Sequence, residues 1–167
     1  AAAISLAGEC SRTTHQSPVV IDACRYFAAT LLCAIQGQPA PRILAALPEP
    51  APGCWGTRAL RREVAALAGG GPPRTRASRR DTPGDVIEAL ANARAAVSTA
   101  TDLEKVVRLA CEGGSEPTLD GALAGALFGA MHGAASIAPE RSGEVRGIAQ
   151  VRDLAARLAD RDGRSPG

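Results

Sequence analysis

Four glycines, Gly121, Gly125, Gly129 and Gly133, recur at a strict spacing of four. Residues four apart share one helix face. A face without side chains lets another backbone approach closely. The pattern therefore predicts a glycine-striped helix running to about Ser136, the most buried element of the fold, with its glycine face against another helix. Composition agrees with that kind of packing. Hydrophobic residues make up 46% of the chain, yet aromatics are only 2% and alanine supplies much of the rest. Helix formers abound, β-branched runs are short and no alternating strand pattern occurs. The fold class expected is all-α, an orthogonally packed helical bundle with no sheet.

A length of 167 residues suits one domain with a real core. Residues 1–160 read as a single helical domain and residues 161–167 as a disordered tail. The net charge of +2 is too small to argue for a nucleic-acid partner. The run from Gly121 to Pro139 carries no Asp, Glu, Lys or Arg and has about the minimum length of a membrane span. Its tandem G-x-x-x-G pattern also suits membrane packing. Alanine and glycine add little to insertion, however, and His132, Ser136 and Pro139 interrupt the run, so it reads as a buried helix of a soluble bundle. The five cysteines, Cys10, Cys24, Cys33, Cys54 and Cys111, are odd in number and show no Cys-x-x-Cys spacing. Reduced thiols in a cytoplasmic protein are the simpler reading. Ala1 to Gly8 lacks the basic start and long apolar run of a signal peptide. The chain opens without methionine, in what reads as mid-helix, which suggests a fragment.

Local signals place the remaining elements. Ala1 to Gly8 is the tail of a helix and Cys10 to Ser17 a turn. Ser17 and Pro18 are N-cap and first residue of a helix through Val19, Ile21, Tyr26, Phe27, Leu31 and Ile35, and Gly37 ends it. The proline-rich stretch Gln38 to Thr57 has room for a helical turn or two at Arg42 to Leu47. Arg58 to Leu67 is a short helix. Gly69 to Gly84 is a loop with a basic patch at Arg74, Arg76, Arg79 and Arg80, read as solvated. Helices follow over Gly84 to Ser98 and from Thr101-Asp102 to Gly113-Gly114. Pro139 to Gly147 is a loop, and Gly147 to Asp160 a last amphipathic helix through Ile148, Val151, Leu154 and Leu158.

Two places carry a resemblance. The longer reads Val86-Ile87-Glu88-Ala89-Leu90, then Asp102-Leu103-Glu104-Lys105-Val106-Val107, then Gly113-Gly114, then Ala124-Gly125-Ala126-Leu127-Phe128-Gly129-Ala130, and closes on Ile137-Ala138-Pro139-Glu140. The shorter is Thr14-His15-Gln16-Ser17-Pro18 with the alanine-rich helix behind it. In order and spacing these resemble the C-terminal half of the ADP-ribosylglycohydrolase family. There a Gly-Gly-Asp-x-Asp-Thr turn holds magnesium beside ADP-ribose, and further ligands come from a Thr-Asp-Asp segment upstream. No such segment occurs here.

The resemblance implies magnesium-dependent hydrolysis of a glycosidic bond between ADP-ribose and a modified protein. It makes Gly113, Gly114 and Ser115 substrate-binding, with Glu116 and Thr118 as residual metal positions. Matched from Gly113-Gly114, Ser115 and Pro117 replace the two aspartates. Matched back from Gly125, Gly129 and Gly133, Glu116 and Thr118 fall there instead. One carboxylate at most is retained unless Asp120 swings in; from their residue types alone, Glu116 and Asp120 read as helix N-terminal charges favoured by the dipole. Magnesium prefers anionic oxygens in near-octahedral array. The chain alone is therefore expected to be inactive, and no catalytic residue is assigned. His15 and His132 read as structural. The alternative is a non-catalytic helical module binding a nucleotide or a protein, and a third possibility is an unrelated helical interaction module.

Overall fold

Tyr26 on one helix and Phe128 on another, both essentially sealed from solvent, mark two parts of the core around which the chain winds. The structure is a computed structural model that describes residues 1–56, 58–69, 86–114 and 116–162. Among these residues every regular element is helical, so the fold is all-α. The helices are α1 (Ala2–Ser11), α2 (Pro18–Ile35), α3 (Ala40–Ala45), α4 (Arg62–Ala65), α5 (Val86–Thr99), α6 (Leu103–Gly113), α7 (Pro117–His132), α8 (Pro139–Glu144) and α9 (Ile148–Asp162). Short 3₁₀ turns occupy Ala66–Gly69 and Ala134–Ser136. The basic patch Arg74 to Arg80, the residues Gly84 and Asp85, and the tail from 163 onward lie outside the described residues.

Boundaries follow local chemistry. Pro18 opens α2, and Gly37 beyond its end takes φ +73, donating its N–H to the Ala34 carbonyl at 2.9 Å. Asp102 caps α6: its Oδ1 accepts from the Lys105 N–H at 2.9 Å. Several expected boundaries move. Helix α1 runs on to Ser11 where a turn from Cys10 was expected, α3 covers Ala40–Ala45 rather than Arg42 to Leu47, and α4 starts at Arg62 rather than Arg58. The glycine-striped helix stops at His132 rather than Ser136, because Gly133 adopts φ +76 and serves as its C-terminal cap. Pro139 starts a short helix, α8, where a loop was expected, since its fixed φ suits the first helical position.

The bundle core joins α2, α5, α6 and α7. Ala93, Ala96 and Val97 of α5 meet Val106 and Ala110 of α6 and Ala124, Leu127 and Phe128 of α7. A second cluster gathers Ala23 and Tyr26 of α2 with Val64, Leu67 and Leu90. The most buried helix is α5, with eight of 14 residues buried, rather than α7, with five of 16. The glycine face does meet α6, but only along its first half. Gly121 faces Cys111 and Val107, and Gly125 faces Val107 and Leu103. That falling register makes α6 and α7 antiparallel. Gly129 would need a partner before Leu103, where α6 has not yet begun, and nothing lies near it. Leu127 and Phe128, beside the stripe, fill the interior instead.

Helix α2 has the length and apolarity of a membrane span, but half of it is buried within the bundle. It also buries charges. Arg25 donates Nη1–H to Asp22 Oδ1 at 2.9 Å and Nη2–H to the Arg58 carbonyl at 3.1 Å. Asp22 Oδ2 accepts the Arg61 N–H at 3.0 Å. The pair thus holds the 58–61 segment that leads into α4. On α5, Arg94 donates to the Tyr26 hydroxyl and to the Ile43 and Leu44 carbonyls, so it satisfies the end of α3. All five cysteines are free thiols.

Two outcomes follow from these buried groups. Asp22→Ala leaves Arg25 an unpaired buried cation and should lower unfolding free energy by roughly 3–5 kcal/mol in urea titration. Burial, partly opposed by Arg94, raises the phenol pKa of Tyr26, the one tyrosine in the chain, above 10.0. A raised folded value favours the neutral phenol in the native state. Its stabilising contribution is complete below the unfolded value and is lost as pH climbs through the folded one. Phenolate absorbance should therefore appear only above the ordinary tyrosine range, and the urea midpoint should decline there.

Candidate functional site

The turn between α6 and α7 is built by a close backbone approach. Gly113 is the last residue of α6 and Gly114 its extended C-cap, at φ −104 and ψ 170. A Cβ on Gly114 would lie 1.9 Å from Asp120 Oδ2 and 2.3 Å from its Cγ. Only a residue without a side chain leaves room for that carboxylate. Asp120 belongs to the first turn of α7 and is 1% exposed. Its Oδ2 accepts the Glu116 N–H at 3.2 Å, and Asn92 of α5 directs its amide Nδ2 at Oδ1 from 3.5 Å. The carboxylate thus closes the N-terminus of its own helix and ties the turn to α5. Cys111 adds a second clasp, donating its thiol to the Pro117 carbonyl at 3.1 Å.

The sequence-assigned residues fall around this clasp unequally. Gly113 and Gly114 form the turn, and Ser115 lies outside the described residues. Glu116 is the N-cap position of α7 by backbone, with no cap bond from its side chain, and Thr118 is one residue into the helix past Pro117. Both are exposed. The carboxylate drawn inward is Asp120. His15 is exposed, with Nδ1 3.1 Å from Thr14 Oγ1 and its backbone N–H on the Ser11 carbonyl at 2.8 Å. It closes the turn between α1 and α2. His132 is exposed at the end of α7 and stacks on Phe128, ring centroids 4.3 Å apart.

Sequence reasoning passed over Asn92, the α5 residue of this arrangement. Asn92 and Glu88 are one helical turn apart on α5, and both are buried. Polar residues at a spacing of four amid the apolar positions Ala89, Leu90 and Ala93 were the available signal. Asp120 was read through the helix dipole, a surface effect, whereas it is a buried acceptor.

The chain has the fold expected of the family that its motifs resemble, and comparison with known families agrees. The family model for ADP-ribosylglycohydrolase matches residues 1–166. This chain belongs to the ADP-ribosylglycohydrolase family. Compared with curated proteins and with solved structures, it finds no match in either. Family membership suggests a metal-dependent hydrolase acting on ADP-ribosylated substrates. Among the described residues the donor set at the turn does not fit a magnesium pair. Asp120 is turned onto N–H donors, and among the described residues no three His, Cys, Asp or Glu side chains converge.

The clasp makes a sharp contrast between two glycines. Gly114→Ala must push the Asp120 carboxylate aside and should cost roughly 1–3 kcal/mol. Gly129→Ala meets nothing within 4 Å in a helix interior. It should be neutral or stabilising by about 0.5–1 kcal/mol. Thermal melts of the two variants check this.

Proposed function

We propose that this chain is an ADP-ribose-recognising portion of the ADP-ribosylglycohydrolase scaffold and does not by itself hydrolyse ADP-ribosyl bonds at a family-like rate. The family reaction is hydrolysis of a glycosidic bond between ADP-ribose and a modified protein. The observation that carries the reading is the commitment of Asp120: both of its oxygens face N–H donors within the fold. Glu116 and Thr118 supply one exposed carboxylate and one hydroxyl, too little anionic charge to strip water from magnesium. The recognition surface proposed is Gly113, Gly114 and Ser115, ahead of the start of α7. There the Thr118 and Leu119 N–H groups precede the first intrahelical bond, donated by Asp120 to the Glu116 carbonyl. Such donors favour a diphosphate. The setting proposed is cytoplasmic, in line with free thiols, without a nucleic-acid or membrane partner.

Calorimetric titration with ADP-ribose tests the reading. Weak, saturable binding is expected, unchanged by magnesium or by a chelator, with no release of ADP-ribose from a modified protein. Ser115→Asp with Pro117→Asp should not restore turnover, because the upstream ligands are still missing. Magnesium-dependent release by the unmodified chain, abolished by chelation, would overturn it. Binding without turnover also separates this reading from a non-catalytic helical module that binds a protein instead, which would show neither.

A further inference from the structure

The segment before α4 folds a tight turn against α1 and α2, with Cys54 packed beside Ile4 and Ala29. Gly53 and Gly56 take φ of +66 and +57, and Gly53 donates its N–H to Glu49 Oε1 at 3.0 Å. Glycine holds such angles without strain. The turn lays Trp55 beside Arg25, whose guanidinium carbon sits 5.6 Å from the indole centroid. Helix α1 passes close to the stem of Arg25: a Cβ on Gly8 would stand 3.1 Å from Arg25 Cγ. Between α1, α2 and this turn lies a cavity of about 450 Å³, whose walls include Ile4, Ile21, Arg25, Trp55 and Arg58. That is the size of a small-molecule site. It shares no residue with the α6–α7 turn.

The walls carry donors without acceptors. Arg25 has five N–H groups. One goes to Asp22 Oδ1 at 2.9 Å and one to the Arg58 carbonyl at 3.1 Å, so three have no partner among the described residues. The Arg25 side chain is only 8% exposed. Trp55 Nε1–H is buried and has no partner either. Buried donors are ordinarily satisfied, and a set left open beside a cavity points to an acceptor that enters it. The charges point the same way. Asp22 balances Arg25, whereas the exposed Arg58 side chain has no ion pair among the described residues. The carboxylate in the cavity wall, Glu9, is 63% exposed and faces Arg12 at 3.3 Å.

We propose that this cavity binds a small carboxylate with a flat apolar body, of which benzoate is the simplest example. A guanidinium presents parallel N–H groups that match the two oxygens of a carboxylate. Arg25 supplies that fork from a fixed position, Arg58 supplies the uncompensated charge, and Ile4, Ile21 and the indole face the apolar body. Acetate would use only the polar half of the site, and inorganic phosphate would lose its hydration to apolar walls that return nothing.

Trp55 is the one tryptophan of the chain, so indole fluorescence of the full chain reads this cavity alone. Titration with benzoate should give a saturable change, with affinity at least about tenfold tighter than for acetate or inorganic phosphate. Arg58→Glu reverses an exposed charge, so helicity by circular dichroism should be retained while benzoate affinity falls roughly tenfold or more. Arg58→Lys should keep most of it. Saturating ADP-ribose should leave the benzoate titration unchanged, so failure of ADP-ribose binding at the α6–α7 turn leaves this site standing, and the reverse. No saturable change with benzoate, equal affinity for acetate and benzoate, or a titration indifferent to Arg58→Glu would overturn the proposal. Displacement of benzoate by ADP-ribose would overturn it as a separate site.

Discussion

The contact between the Asp120 carboxylate and the bare backbone of Gly114 decides how the second half of this protein is arranged. A carboxylate at 1% exposure is costly unless hydrogen-bonded. Here it draws the Glu116 N–H and the Asn92 amide towards it. Those bonds turn the chain sharply after α6 and set α7 antiparallel to it. Gly121 can then approach Cys111 closely enough that a Cβ would sit 2.8 Å from the sulfur. The α6–α7 pair in turn presents Ala124, Leu127 and Phe128 to α5 and α2. The Gly113-Gly114 turn is thus shaped by an internal acid.

That arrangement bears directly on chemistry. A carboxylate that holds a metal is neutralised by the ion. In this chain the buried carboxylate faces inward and is neutralised by donors of the fold. A metal would have to displace those donors and leave a buried amide and a backbone N–H unsatisfied, at about 1–3 kcal/mol each. The same trade explains why belonging to a hydrolase family and lacking converging metal ligands among the described residues are compatible.

Much of the fold was legible because helix signals are local. Pro18, Gly37 and Asp102 mark ends that the structure keeps. The glycine stripe was legible as a helix but not as an interface. Its depth of contact depends on where α6 begins, which no spacing within residues 121–133 encodes. Gly133 could be read as part of the stripe or as its stop, and only its φ of +76 decides. The buried polar groups were the least legible. Asp22, Arg25 and Arg94 lie within otherwise apolar or alanine-rich helices. Their partners are the carbonyls of Arg58, Ile43 and Leu44 and the Arg61 N–H, distant in sequence and set by tertiary packing. The motif residues Gly113, Gly114 and Glu116 were found by pattern. The residue that organises them, Asp120, was misjudged because an acid in a first helical turn ordinarily answers to the dipole.

Thermal unfolding of the unmodified chain and of Asp120→Ala, each across a magnesium titration, tests most directly that Asp120 serves the fold. Anything that binds only the native state raises the melting temperature with its concentration. If Asp120 is a structural acceptor, the variant melts well below the unmodified chain at every magnesium concentration, and magnesium shifts neither. A melting temperature that rises with magnesium in the unmodified chain, with that rise lost in Asp120→Ala, would mean that the carboxylate holds a metal and would contradict the account.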